Sequence, residues 1–415
     1  MAIFFAREEI MKIKMKINQL LSFCIIILFY ILRNMLSLNP DMDRNKMVIL
    51  GGLALLGMII GLYLTIRLFL SKKKVLFTKK QFRVIVLLIL FTLMSSSLFA
   101  IKGGSLKAIF MLISCCGAII VGLLKPLTDR KLSIVLMLIV FAHQFNVLLE
   151  GIKSLIAYNW WFPAFNIYFS STNGTAQFAA VSMAVVLLIY SQCENRKGVL
   201  QSVFIANIAI GTAIILLSAS RGGILAISLA AVYWLWKATS LKALLFNKRT
   251  YKYIFGIILL CTLIMNTMTP VRAQLIDYFQ LINKVQPDNF FESEGRTNIL
   301  MEALDQIFSD SSTFLLGQDK LFSTMPKTGF THAHNSYVEM VRNLGIFPLL
   351  LLVLLLITST VSNKSSPCIY IMVGLIIIFI RAFFDDVILW ATFEEFFLLW
   401  PIVLLTYRKN YLKKV

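Results

Sequence analysis

The fold is decided by uncharged apolar runs such as residues 344–361, which read LGIFPLLLLVLLLITSTV. An apolar run of about 17–25 residues is long enough to cross the hydrocarbon core of a bilayer as a helix. Such runs recur along the chain of 415 residues, of which 59% are hydrophobic and 14% charged, and the mean hydropathy is +0.81. Soluble globular chains are nearer half apolar and a quarter charged. The sequence therefore predicts an all-α polytopic membrane protein and excludes a soluble multidomain enzyme.

Twelve apolar runs are candidate transmembrane helices. They lie near residues 17–36, 47–70, 84–101, 108–124, 132–149, 175–192, 201–219, 222–237, 254–268, 344–361, 367–388 and 392–407. The chain accordingly divides into spans one to five with an outer aromatic loop (1–174), spans six to nine (175–268), one large external loop (269–343), and spans ten to twelve with a cytoplasmic tail (344–415).

Basic residues outnumber acidic ones, 40 to 20, and they concentrate in short loops between the apolar runs. This distribution indicates membrane orientation and not nucleic-acid binding. The basic loop 72–83 is the strongest cytoplasmic mark, and the acidic excess of residues 269–343 suits the opposite face. By the positive-inside rule, both termini are predicted to be cytoplasmic in a multi-pass protein of the cytoplasmic membrane.

The cysteines and the middles of the spans exclude several chemistries. All six cysteines lie inside or at the ends of apolar runs, without disulfide or metal-ligand spacing, so neither a metal nor a cofactor is expected. The span middles carry almost no ionisable residues, which argues against an ion-coupled transporter. Polar residues gather at the outer face instead, which favours chemistry or binding at that surface.

The external loop has helical periodicity. Amphipathic helices are predicted near 273–285 and 297–309, and in the second the apolar residues form one stripe. The members of this stripe are Ile299, Leu300, Ala303, Leu304 and Ile307.

Three short motifs are predicted to meet at the outer face. They are Ser-Ala-Ser-Arg-Gly-Gly at 218–223, Glu-Gly-Arg-Thr-Asn at 294–298, and His-Asn-Ser-Tyr-Val-Glu at 334–339. The guanidinium groups of Arg221 and Arg296 are suited to phosphate oxygens. An imidazole such as that of His334 can take up or release a proton near neutral pH.

These motifs, in this order and around a large external loop, resemble the O-antigen ligase and polymerase superfamily over roughly residues 170–400. The resemblance implies a helical fold like that of the GT-C glycosyltransferases and an inverting, metal-independent glycosyl transfer in a bacterial inner membrane. The donor it implies is an undecaprenyl-diphosphate-linked oligosaccharide. Arg221 and Arg296 would hold the diphosphate, and His334 would act at the reaction centre. Further substrate-binding candidates at the same face are Asn335, Tyr337, Glu339, Arg342 and Arg381.

The expected function is a polysaccharide polymerase that joins lipid-linked repeat units of capsule, exopolysaccharide or O-antigen on the outer face of the membrane. A ligase that moves finished glycan to a lipid or wall acceptor would use the same donor, and a flippase for lipid-linked sugars or a non-catalytic scaffold remain alternatives. A polymerase would have membrane lipid, a flippase and a chain-length regulator as further partners.

Each candidate residue also has a simpler interpretation. Arg221 could anchor a helix end at the membrane interface, and Arg296 could pair with Glu292 or Glu294. The His334-Asn335 pair could only cap the following helix. His332 is expected to be a solvated neighbour, and Glu339 is a weaker candidate base than His334 because it lies five residues further on, off the same helix face.

Overall fold

The computed structural model describes residues 19–31, 79–123, 129–158, 172–193, 196–218, 220–238, 296–360, 366–384 and 394–406. Within these ranges the chain forms helices and connecting turns and contains no strand. In chain order the helices are α1 (Gln19–Ile31), α2 (Lys79–Ile101), α3 (Ser105–Leu123), α4 (Arg130–Tyr158), α5 (Thr172–Gln192), α6 (Val199–Leu217), α7 (Arg221–Ala238), α8 (Arg296–Ser309), α9 (Ser311–Leu316), α10 (Ser336–Leu344), α11 (Ile346–Thr360), α12 (Ser366–Ala382) and α13 (Glu394–Leu404).

Ten of the twelve predicted spans contain one of these helices, which confirms the helical class. The other two, 47–70 and 254–268, and the amphipathic helix predicted at 273–285 lie outside the described residues. Among the described helices, α2, α4, α5 and α6 are long and apolar enough to cross a membrane, and α1, α3, α7, α11 and α12 supply shorter apolar helices. This pattern is consistent with a polytopic membrane protein, and the number of twelve spans stays a prediction.

Helix α5 forms the centre of the described bundle. It contacts α4, α6, α7, α12 and α13, and 89% of its apolar stretch is buried, against 28–39% in the three other long helices. Small side chains make this possible, because they let neighbouring backbones approach closely. At the contact with α12, a Cβ atom added to Gly374 would lie only 3.5 Å from the carbonyl oxygen of Ala184. The buried alanines of α5 are Ala176, Ala179, Ala180 and Ala184.

Helices α2 and α11 run antiparallel and are joined by a lysine at each end. Lys80 Nζ donates to the carbonyl oxygen of Ser359 at 2.8 Å, and Lys102 Nζ donates to that of Asn343 at 2.7 Å. The C-terminus of α2 therefore lies beside the N-terminus of α11. We call this end of the bundle, which also carries the α6–α7 turn and the C-terminus of α12, the polar end.

Residues 296–345 form a small helical unit on the polar end. Helix α8 is amphipathic as predicted, and Ile299, Ala303 and Ile307 of its stripe are buried. Ile299 and Ala303 pack with Met325 and Ala333, so this helix supports the segment that leads to α10. The packing of this separate small core fixes the position of residues 331–335.

Candidate functional site

The turn between α6 and α7 places Arg221 at the polar end. Helix α6 ends at Leu217 and α7 begins at Arg221, so the predicted seventh and eighth spans are two distinct helices. Ser220 precedes α7, and its carbonyl oxygen accepts from the Ile224 N–H at 2.9 Å. The N–H of Gly223 in the first turn donates to Ser220 Oγ at 3.4 Å. The positive dipole end of α7 favours negative charge at this point. The side chain of Arg221 lies outside the described part of the structure.

The guanidinium group of Arg381 lies against the first turn of α7. Arg381 is in the last turn of α12 and only 1% exposed. A Cβ atom added to Gly222 would lie 2.8 Å from Arg381 Nη1 and 2.5 Å from Phe384 Cβ, so a glycine is needed for this approach. A guanidinium beside a helix N-terminus concentrates positive potential, which suits a diphosphate or another anion. Arg381, a predicted substrate-binding residue, thus lies next to the Arg221 backbone.

Tyr337 connects α10 to the same end of α12. Its hydroxyl donates to the carbonyl oxygen of Phe379 at 2.9 Å, and its ring packs on that of Phe383 with centroids 4.5 Å apart. Burial raises the pKa of Tyr337, so the phenol remains protonated and can keep donating. The predicted histidine motif and the Arg381 region are therefore held together by a direct contact.

His334 lies in the turn before α10 with a left-handed backbone, φ 51°. Positive φ is uncommon for residues other than glycine, and when it occurs it often marks a functional turn. The cap of α10 is Asn335, whose side chain accepts from the N–H groups of Tyr337 and Val338 at 3.0 and 3.1 Å. Helix capping thus explains Asn335 and does not explain His334, which is half-buried and lies edge-on to Phe330.

Glu339 is completely buried beneath this turn. Its Oε2 accepts from the Ala333 N–H at 2.8 Å, and its Oε1 accepts from Asn343 Nδ2 at 2.6 Å and Arg342 Nη1 at 3.3 Å. Burial raises the pKa of Glu339 although the Arg342 charge and these hydrogen bonds favour the ionised form. Its carboxylate is occupied by protein donors, whereas His334 is partly accessible, so His334 is the more open of the two side chains.

Arg342 is also completely buried, and its donors are distributed over the surrounding segments. Nε donates to Gln306 Oε1 of α8 at 2.9 Å, and Nη1 donates to the Thr331 carbonyl at 3.0 Å as well as to Glu339. Nη2 donates to the Ser323 carbonyl. The guanidinium therefore joins α8, the segment around Ser323, the histidine turn and α10. Its predicted role in binding substrate stays a prediction.

His332 is half-buried, contrary to the expectation of a solvated side chain. Burial, together with the nearby charges of His334 and Arg342, lowers the pKa of His332 to about 4. Its Nε2 lies 3.0 Å from Thr331 Oγ1, and its ring is edge-on to Phe322. His332 is thus neutral at pH 7 and contributes to packing against Phe322.

Arg296 begins α8, the helix that packs on Ala333. Its backbone is therefore on the element that adjoins the histidine turn, while its side chain lies outside the described part. The structure joins the α7 terminus, Arg381 and the histidine turn through described contacts. The placement of the Arg296 side chain relative to them stays a prediction.

Several residues that organise this site were not singled out from the sequence. Gln306 and Ser323 bind the buried Arg342, and Glu302 accepts from the N–H groups of Lys327 and Thr328 at 2.6 and 2.8 Å. The sequence of a polar loop does not reveal which of its acidic or amide side chains point into the protein interior. Among the described residues, no cluster of three or more His, Cys, Asp or Glu side chains could hold a metal ion.

The apolar helices and the polar site at one end of the bundle define a helical membrane protein with a cationic site beside its bilayer-spanning part. Residues 206–353, slightly more than a third of the chain, match the family model Wzy_C, described as O-antigen ligase. The match runs from α6 to α11 and includes Arg221, Arg296 and His334. It confirms the resemblance to the O-antigen ligase and polymerase superfamily. No curated protein and no solved structure shows a match to the chain.

Proposed function

We propose that this protein is a glycan polymerase of the outer leaflet, which joins undecaprenyl-diphosphate-linked oligosaccharide repeat units. The observation that carries the proposal is the contact of Tyr337 with α12, which holds the His334 turn beside the Arg381 guanidinium and the N-terminus of α7. This contact supports a site in which a cationic group for the leaving diphosphate lies near a proton acceptor. The family match supports a lipid-linked polysaccharide as substrate.

In the proposed reaction, an acceptor hydroxyl attacks the anomeric carbon of the growing chain in a single inverting displacement. The bond from that carbon to the diphosphate oxygen breaks, and the electron pair leaves on the diphosphate. Arg221, Arg296 and Arg381 would stabilise this developing charge, a role for which fixed cations suffice without a metal. His334 would take the hydroxyl proton as the new glycosidic bond forms.

Reconstitution tests this proposal. The purified protein in nanodiscs is incubated with lipid-linked repeat units and EDTA, and the products are sized on a gel. Wild type is expected to form a ladder. Arg221→Ala is expected to be slower by roughly 100- to 1000-fold, as for loss of one group that stabilises a developing charge. His334→Ala is expected to lose roughly 100-fold or more, as for loss of a general base.

Two exposed loop residues provide matched controls. Lys320→Ala removes an exposed cation from the same loop, and Asp319→Asn removes an exposed acid, so both are expected to polymerise normally. A folded wild type that transfers glycan only to a non-repeat acceptor would identify a ligase. Equal ladders from wild type, Arg221→Ala and His334→Ala would refute the site.

A further inference from the structure

The turn that carries His334 is anchored on both sides of the histidine. On one side, the Thr331 carbonyl accepts from Arg342 Nη1, and the Ala333 N–H donates to Glu339 Oε2. On the other side, Asn335 caps α10. These bonds hold the backbone immediately before and after His334. They explain how a non-glycine residue is kept at φ 51°, a conformation that costs free energy unless its surroundings impose it.

The anchors before His334 come from one buried ion pair. Glu339 and Arg342 are each 0% exposed and lie one turn apart on α10. Asn343 donates to Glu339, and Gln306 accepts from Arg342, so the remaining hydrogen-bonding capacity of the pair goes to neighbouring protein groups. A buried ion pair contributes little net stability compared with apolar residues of the same size, but removing one partner is costly. Such a pair is better suited to fixing one geometry than to stabilising the fold in general.

We infer that Glu339 and Arg342 are positioning residues, which hold the His334 imidazole in the geometry that proton transfer requires. They do so through the backbone at Thr331 and Ala333 and not by contact with substrate. This role differs from the substrate contact that the sequence suggested for both residues. The claim that this positioning serves proton transfer rests on the proposed function. The claim that Glu339 and Arg342 hold the backbone around His334 does not.

The three histidines of the chain make this inference measurable by NMR. Protein labelled only in histidine gives ring signals from His143, His332 and His334, which are assigned by changing each one to Asn. In Glu339→Gln one carboxylate oxygen becomes an N–H₂ group, which meets a donor whether it faces Ala333 or faces Arg342 and Asn343. The His334 signals are therefore expected to shift and broaden, while those of His143, in α4, stay in place and report an intact bundle.

Glu302→Gln is the matched control. Glu302 is also a buried carboxylate of this unit that accepts two backbone N–H groups, but those belong to Lys327 and Thr328 and not to the histidine turn. Its substitution is expected to leave the His334 signals close to their wild-type positions. Arg342→Lys keeps the charge and loses the planar fork, so it is expected to behave like Glu339→Gln.

Kinetics provide the second measurement. A misplaced base lowers kcat, on the order of 100-fold for a displacement of about 1 Å, and leaves KM for the lipid-linked donor nearly unchanged. Unchanged His334 signals in folded Glu339→Gln would overturn the inference, as would a higher KM with an unchanged kcat. If wild type forms no glycosidic bond, the proposed function fails, and the NMR comparison still decides whether the ion pair positions His334.

Discussion

The Tyr337 hydroxyl donates to the Phe379 carbonyl at 2.9 Å. That carbonyl belongs to the last turn of α12, where carbonyl groups have no partner within their own helix. One side chain thereby satisfies a carbonyl at the end of this apolar helix and attaches the histidine turn to it. The phenol of Tyr337 thus contributes directly to the relative position of α10 and α12.

Replacing Tyr337 by Phe is expected to lower the free energy of unfolding by about 1 kcal/mol, because one hydrogen bond is lost while ring packing is retained. Tyr337→Ala also removes the ring from Phe379 and Phe383 and is expected to cost about 3–5 kcal/mol. Thermal unfolding in detergent measures both. Equal transition temperatures for wild type and Tyr337→Phe would show that the hydrogen bond is unimportant.

Replacing Gly222 by Ala is expected to displace Arg381 and Phe384, because the new methyl group would lie within 2.8 Å of both side chains. We expect a loss of polymerisation on the order of tenfold or more, since remote misplacements of about 1 Å can cost that much. Gly374→Ala is the control, because its Cβ would meet Ala184 only at ordinary contact distances from 3.5 Å. Full activity of Gly222→Ala would argue against a role for the Arg381 contact.

Glu302 predicts a pH dependence of the loop at residues 327–328. Burial opposes its ionisation, but hydrogen bonds from Thr328 and Lys327 outweigh this effect and lower the pKa below its usual 4.5. A depressed carboxyl pKa stabilises the folded state above pH 4.5, and the contribution is lost as the pH falls through the lowered value. Hydrogen exchange, corrected for intrinsic rates, should show weaker protection of these two amides in that acidic range. In Glu302→Gln the protection should already be weak at pH 7.

His332 predicts a second pH effect in a higher range. Its pKa is lowered from 6.5 to about 4, so the folded state favours the neutral ring. The stabilisation is complete above pH 6.5 and declines as the pH falls from 6.5 to about 4, because the unfolded chain takes up the proton first. Histidine NMR should show the His332 ring titrating near pH 4. In His332→Asn, the stability of the loop should vary less with pH between 6.5 and 4.

The helices were predictable because a membrane span needs a long apolar run, and a short turn such as 218–223, which contains small residues and an arginine, interrupts it. The apolar stripe of α8 was also predictable, because its apolar residues recur at the spacing of one face of a helix. Helix α9, with six residues, was not predicted.

The arrangement of the candidate site was only partly predictable. The motifs indicated which side chains carry phosphate and proton chemistry, and Asn335 could be recognised as a possible cap. The inward direction of Glu339 and Arg342 could not be read from the sequence, because charged residues in a loop are usually solvated. Their partners are also distant in the chain, as Gln306 is from Arg342, and only tertiary packing brings them together.

The central position of α5 has a consequence for biosynthesis. Of the four long apolar helices it is the least hydrophobic and the most enclosed, and four of its neighbours, α6, α7, α12 and α13, are synthesised after it. A nascent chain that has reached only α5 exposes to lipid a helix whose alanine-rich faces are shaped for protein contacts. Its retention in the bilayer therefore depends on helices still to be translated, and interrupted synthesis should leave a fragment that quality-control proteases recognise.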